Sequence, residues 1–159
     1  MEIKVFTQPY QQQIIDLILN IQNNEFGIPV TIEQQKDLLI IPSFYQQQKE
    51  NFWIALDEDK VVGTIALIDI GNKQTALRKM FVHKDYRGKE KAVAALLLQK
   101  VNDWCKEKDI NEIYLGTVEV LKAAQRFYEK NDYVRIEKKE LPVKFPVMEV
   151  DTVFYKYSF

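Results

Sequence analysis

Cysteine and histidine occur once each, as Cys105 and His83. A lone cysteine excludes an internal disulfide, and one Cys with one His is a poor set of metal ligands, so no metal is expected. No apolar run reaches the roughly 18 residues that a membrane-spanning helix needs. The first ten residues, MEIKVFTQPY, lack the apolar stretch of a signal peptide. A reduced, cytoplasmic protein without a membrane partner is expected. An excess of one charge is missing as well: 22 basic and 23 acidic residues leave a net charge of -1. That balance argues against nucleic-acid binding by the surface as a whole.

What is present suits an ordinary globular chain. The 159 residues are 47% hydrophobic and 28% charged, enough to bury a sizeable core. No linker or low-complexity tail interrupts them, so one domain spanning residues 1–159 is the economical reading.

Periodicity gives the order of elements. Ile3 to Phe6 reads as a short strand. Pro9 suits the first turn of a helix running to about Ile21, with Ile14, Leu17, Ile18 and Ile21 on one face. Gly27 and Pro29 make "NEFGIPV" a turn, and Thr31 can cap a second helix that ends near Pro42. Asn51–Leu56 and Val61–Ile70 form a hairpin around "DEDK", and Ala76–Val82 adds a third strand. A helix follows to about Lys106, with Val93, Leu97, Val101 and Trp104 on one stripe and Leu96 widening it. Then come a short strand at 112–117, a helix at 121–130 with Leu121, Ala124 and Tyr128 on one face, and a strand at 133–136. A loop holds Pro142 and Pro146, and an alternating final strand runs over 147–157. Antiparallel strands followed by a β-α-β crossover predict an α+β fold around one mixed sheet.

The chemistry concentrates before the long helix. Between Arg78 and Lys91 lie six basic and two acidic residues. A helix N-terminus with a positive dipole end, a nearby arginine and a glycine that lets the backbone turn tightly can hold an anion. By charge alone the window is either a phosphate cradle or a solvated basic loop. Tyr128, read by itself, is an aromatic packed under the sheet.

The stretch "LRKMFVHKDYRGKEKAVAALLLQKVNDWCKEKDINEIYLGT" resembles the acetyl-CoA-binding half of the GNAT N-acetyltransferase superfamily, and "AAQRFYEKNDYVRI" looks like that family's tyrosine-bearing helix and the strand after it. "NFWIALDEDKVVGTIALIDIGN" and "LPVKFPVMEVDTVFY" extend the likeness, to a bacterial subgroup, over almost the whole chain. The resemblance implies a central mixed, mostly antiparallel sheet of about seven strands with about four helices. It implies an N-acetyltransferase that moves acetyl directly from acetyl-CoA to an amine of a small molecule, peptide or protein, as a monomer or homodimer. The turn Arg87, Gly88, Lys89, Glu90, Lys91 and Ala92 would hold the pyrophosphate. Met80, Phe81 and Val82 would face the acetyl and pantetheine arm, Leu121 and Ala124 would stand beside the cofactor, and Tyr128 would protonate the leaving thiolate.

Three residues depart from the family pattern: Glu90 replaces the central glycine of the turn, Leu121 an asparagine, and Asp132 a glycine. Aspartate tolerates a left-handed backbone better than most residues. The departures at Glu90 and Leu121 support an alternative, a degenerate module that binds acyl-CoA or a partner without robust catalysis. Glu119 is the first candidate for the general base, with Asp69 and Glu25 as alternatives; His83 reads as a surface residue. Phe26, Tyr45 and Phe145 are expected to wall an acceptor pocket. Cys105 reads as packing and not as a nucleophile.

Overall fold

The computed structural model describes residues 1–88 and 90–159. Lys89 lies outside the described residues. Seven strands form one sheet: β1 (Glu2–Val5), β2 (Asn51–Asp57), β3 (Lys60–Gly71), β4 (Gln74–Val82), β5 (Glu112–Thr117), β6 (Val134–Ile136) and β7 (Val153–Ser158). Their spatial order is β1-β2-β3-β4-β5-β7-β6. Every neighbouring pair is antiparallel except β4 and β5. The helices are α1 (Gln11–Leu19), α2 (Ile41–Tyr45), α3 (Val93–Glu107) and α4 (Lys122–Lys130). The mixed, mostly antiparallel α+β sheet expected from the sequence is borne out.

Alternation along the strands divides the core in two. One face of the sheet packs Phe52, Ile54, Ala66 and Ala76 against Ile14, Ile18 and Ile21 of the first helical segment. The other packs Ala55, Ile65, Leu67 and Leu77 against Val93, Leu97 and Val101 of α3. The α3 stripe differs in detail from the expected one. Leu96 is exposed and Leu98 is buried in its place. Trp104 lies at the edge of the stripe, with its ring against Trp53 and its indole N–H donating to the Lys49 carbonyl at 2.9 Å.

Three expected elements differ. The first helix does not end at Ile21; after α1 it widens into a π-helical stretch over Asn20–Glu25. The helix expected over 31–42 is a kinked 3-10 segment at Glu33–Leu39, broken at Gln35, and Pro42 opens α2 and does not close the helix before it. Proline is tolerated in a first turn because its missing N–H is an orphan there anyway. Thr31 does help start this segment, through reciprocal bonds with Gln34: the Thr31 amide donates to Gln34 Oε1 at 3.0 Å and the Gln34 amide to Thr31 Oγ1 at 3.3 Å. The final strand is also shorter than its alternating pattern suggested. It begins at Val153, and residues 147–152 are irregular, with a turn at 149–150.

Candidate functional site

The parallel pair makes the site. β4 and β5 are in register only from Gln74–Glu112 to Ala76–Tyr114. Beyond that point β4 continues to Val82 and β5 to Thr117 without pairing, so the two strands part. A cleft of about 130 Å³ opens in the gap. Leu77, Met80 and Phe81 line one wall, and Leu115, Gly116 and Thr117 the other. Leu121, Ala124 and Tyr128 of the α4 region close one end, and Ile28, Val30 and Phe145 close the other.

A β-bulge shapes the β4 wall. Thr64 pairs with Phe81 but Ala66 pairs with Arg78, so β4 carries one extra residue. Lys79 takes up the irregularity with a left-handed φ of 55°. The buried Thr64 hydroxyl donates to the Lys79 carbonyl at 2.6 Å, satisfying an oxygen that the bulge takes out of the ladder. In a regular strand Arg78 and Lys79 would face opposite sides. Here Arg78 reaches Phe44 and Met148, and Lys79 reaches Gln35 and Asp37, so both turn toward the α1–α2 layer.

A buried polar cluster lies beneath that end. The Lys79 ammonium donates to Gln35 Oε1 at 2.6 Å and stands 3.5 Å from Asp37 Oδ2. Gln35 in turn accepts from Gln22, and Asp37 accepts from the Tyr45 hydroxyl. Burial disfavours the charged form of Lys79 and lowers its pKa from 10.5 to about 8, partly offset by Asp37.

Asp151 faces the cleft from the turn before β7. Its Oδ2 accepts from the Met148 amide at 3.3 Å. The carboxylate lies over Gly116: a Cβ there would stand 2.6 Å from Asp151 Oδ2. Gly116 is therefore the residue that admits Asp151. Burial raises the Asp151 pKa, with the Met148 amide and the Arg78 and Lys79 charges opposing. Tyr128 lines the same cleft, and burial raises its pKa, with the Asp151 charge adding to the effect. Its phenol stays protonated throughout the neutral range.

The turn before α3 provides the conditions for an anion. Gly88 has φ 102° and Ala92 has φ 53°, and among the described residues, apart from its chain neighbours, nothing lies within 4 Å of where a Gly88 Cβ would be. Among the described residues, no side chain caps the first-turn amide N–H groups of the 15-residue α3, which suits another acceptor there. A phosphate-bearing cosubstrate fits this turn. Glu90 and Lys91 are exposed on it; the sequence reading of Lys89 as a cofactor contact falls outside the described residues. The Arg87 guanidinium is bound elsewhere, to Glu25 and, through Nε at 2.8 Å, to the Val82 carbonyl.

The structure brings together only some of the residues singled out from sequence. Met80, Phe81, Leu121, Ala124, Tyr128 and Phe145 meet in the cleft. Glu119 does not join them. It is exposed and paired with Lys122 at 2.6 Å, and that bond lowers its pKa, which makes it a weak base. Tyr45 is fully buried, held by Asp37 within the core, and does not wall the pocket. Phe26 sits under the Arg87 guanidinium, 5.7 Å from its ring centroid. Asp69 is exposed and accepts from the Gly71 amide, and His83 Nδ1 accepts from the Asp85 amide. Cys105 is buried, and burial pushes its thiol up to about 12. Asp151 carries no signal in the sequence that marks it as a site residue, Gly116 only its place inside an apolar strand, and Arg78 and Lys79 stand out there only as part of the basic window.

Similarity to other proteins agrees with this architecture. The family described as Acetyltransferase (GNAT) matches residues 15–133. A crystal structure of an acetyltransferase of the GNAT family from Staphylococcus aureus Mu50 superposes with a TM-score of 0.95 at 39% identity, covering 99% of this chain and 98% of that one. The PaiA N-acetyltransferase of Thermoplasma acidophilum, solved in complex with coenzyme A, shares the fold with a TM-score of 0.74 at 16% identity over the whole of both chains. Among curated proteins, the N-acetylaspartate synthetase of Xenopus tropicalis is 37% identical over 97 residues, 58% of this chain. The chain spans 34% of the length of that relative. The chain belongs to the GNAT acetyltransferase family.

Proposed function

We propose that the chain is an acetyl-CoA-dependent N-acetyltransferase that moves the acetyl group directly to an amine, with Asp151 as base and Tyr128 as acid. The observation that carries this is the meeting of the two groups in the one cleft where β4 and β5 part. Acetyl-CoA supplies the thioester when bound. The turn at Arg87–Ala92 and the amides of α3 suit its pyrophosphate, and Met80, Phe81 and Val82 its pantetheine arm. Leu121 and Ala124 suit the apolar contact beside it.

Asp151 removes the proton from the incoming ammonium, directly or through water. The amine nitrogen then forms a bond to the thioester carbonyl carbon, the carbon–sulfur bond breaks, and the nitrogen gives up its second proton to solvent as the amide forms. Tyr128 gives its proton to the departing thiolate and recovers one from solvent. A carboxylate whose pKa is raised by burial is a better base than a solvated one, and the raised phenol pKa keeps the Tyr128 proton in place at neutral pH while making it a weaker acid. No covalent intermediate on the protein is needed, and the buried Cys105 does not supply one. A cytoplasmic protein acting as a monomer or homodimer, with neither nucleic acid nor membrane as partner, belongs to the same proposal; the free thiol suits a reducing compartment.

The test is transfer of labelled acetyl from acetyl-CoA to a panel of amines, with coenzyme A release followed in parallel. One CoA released for each acetylated amine supports the reading. Tyr128→Phe should lower turnover by about 10²–10⁴-fold, the usual share of a general acid, with acetyl-CoA affinity little changed. Unchanged turnover would remove Tyr128 from the mechanism.

A further inference from the structure

The cleft is lined by a cation, Arg78, and an anion, Asp151, that do not pair with each other among the described residues. Lys79 is matched already, by Gln35 and Asp37. Arg78 is not. Among the described residues, its side chain meets the Met148 thioether at 3.6 Å and the face of Phe44, 5.8 Å from the ring centroid. Neither is a carboxylate, and no ion pair joins Arg78 to Asp151 among the described residues. A guanidinium partly withdrawn from water beside a thioether and a ring keeps its fork of N–H donors without strong acceptors. The bulge beside it leaves Arg78 lining the cleft with its guanidinium against Met148, and Asp151 faces the same cleft from the turn before β7.

We propose that the acceptor is an amine that also carries a carboxylate, with the carboxylate bound by Arg78 and the amine presented to Asp151. The proposal rests on the acetyltransferase reading and narrows it. The cleft then meets both charges of a zwitterion, each on its own side. The chemistry is unchanged: the nitrogen–carbon bond forms, the carbon–sulfur bond breaks, Asp151 takes one amine proton and solvent the other, and Tyr128 protonates the thiolate.

Matched pairs of acceptors test this: amino acids against their carboxamides, which keep the amine and lose the negative charge. Acetyl transfer from acetyl-CoA is measured as kcat/KM for the parent, Arg78→Gln and Arg78→Met, with thermal unfolding of each variant as a check on folding. The acids are expected to exceed their amides by about 10-fold or more, the worth of a charged hydrogen bond in a partly dry site. The amide's amine is the less basic and loses its proton more readily, so amine basicity works against this order and cannot imitate it. Both variants are expected to lower kcat/KM for acids more than for amides, closing most of the gap. Equal or better use of amides by the parent overturns the proposal, as does an equal loss on both classes in the two variants. Stabilisation by acetyl-CoA without transfer to any carboxylated amine also overturns it and leaves cofactor binding intact. Absence of both stabilisation and transfer overturns the acetyltransferase reading itself.

Discussion

The Glu25 carboxylate grips the Arg87 guanidinium at two points, Nη1 to Oε2 and Nη2 to Oε1, the latter at 2.9 Å. This joins the end of the π-helical stretch to the turn in front of α3. Arg87 also holds the Val82 carbonyl at the end of β4. It therefore acts as a brace that sets the turn against the strand.

Glu25→Gln and Arg87→Lys should each raise KM for acetyl-CoA several-fold, with kcat little changed. Either change loses the two-point contact, and lysine cannot restore it. The pair acts as one unit, so the double variant should be little worse than either single one. Additive losses would mean that Arg87 meets the cosubstrate independently of Glu25.

Lys79 gives a pH signature. Its pKa falls from 10.5 to about 8 on folding, mainly through burial. The unfolded chain therefore binds more protons between these values, and Lys79 contributes stability that is full above 10.5 and lost as pH falls toward 8. The change amounts to about 3 kcal/mol at 1.36 kcal/mol per pKa unit. Denaturant unfolding of the parent and Lys79→Met should show the parent gaining on the variant from pH 8 to 10. Parallel curves would mean that the ammonium is hydrated in the native state.

The order of strands and the helix that carries Tyr128 were legible because period-2 and period-3.6 patterns are local. Asp132 likewise adopts the left-handed backbone its place in the turn required, with φ 69°. The site's polar residues were hidden for the same reason. Alternation assigns Arg78 and Lys79 to opposite faces, and the bulge that turns both to one side depends on pairing with β3, which no local pattern records. The alternation of 147–157 concealed the turn that presents Asp151. Glu119 is conspicuous beside β5 but is held by Lys122, whereas Tyr45, expected from the sequence to wall the pocket, is core. One signal was available: Gly116 interrupts an apolar strand, and glycine inside a strand marks close approach by another group.

The Tyr133 hydroxyl is buried and lacks a hydrogen-bond partner among the described residues. Its ring packs on Tyr128 at 5.6 Å and on Tyr157 at 5.2 Å between centroids. Tyr133→Phe keeps those contacts and removes the unsatisfied group, which costs about 1–3 kcal/mol when buried. The variant should melt higher, by about 2–4 °C for each kcal/mol gained. A lower melting temperature would show that the hydroxyl is bonded in solution.

Gly116→Ala tests the placement of Asp151. The added methyl would stand 2.6 Å from Oδ2, so the carboxylate or the turn that carries it must move. Turnover should fall by about tenfold or more, since a base has to lie within hydrogen-bond reach of its proton. Binding of acetyl-CoA, measured by calorimetry, should change much less. Full activity in Gly116→Ala would show that catalysis does not require Asp151 at this position.

The pH dependence of kcat/KM for the acceptor, in the parent and Asp151→Asn, tests the assignment of the base most directly. In the parent the rate should rise with pH as Asp151 ionises, at a pH above the ordinary carboxylate range because burial raises its pKa. In Asp151→Asn that rise should vanish and the rate should drop by about 10²–10⁴-fold. Stability separates this from damage to the fold. A raised carboxyl pKa makes the native state lose stability as pH climbs from the unfolded value through the folded one, so removing the charge leaves the variant at least as stable at neutral pH. A slow, well-folded Asp151→Asn without the acid limb is the expected result; a variant that keeps both the limb and the parent's rate would contradict Asp151 as the base.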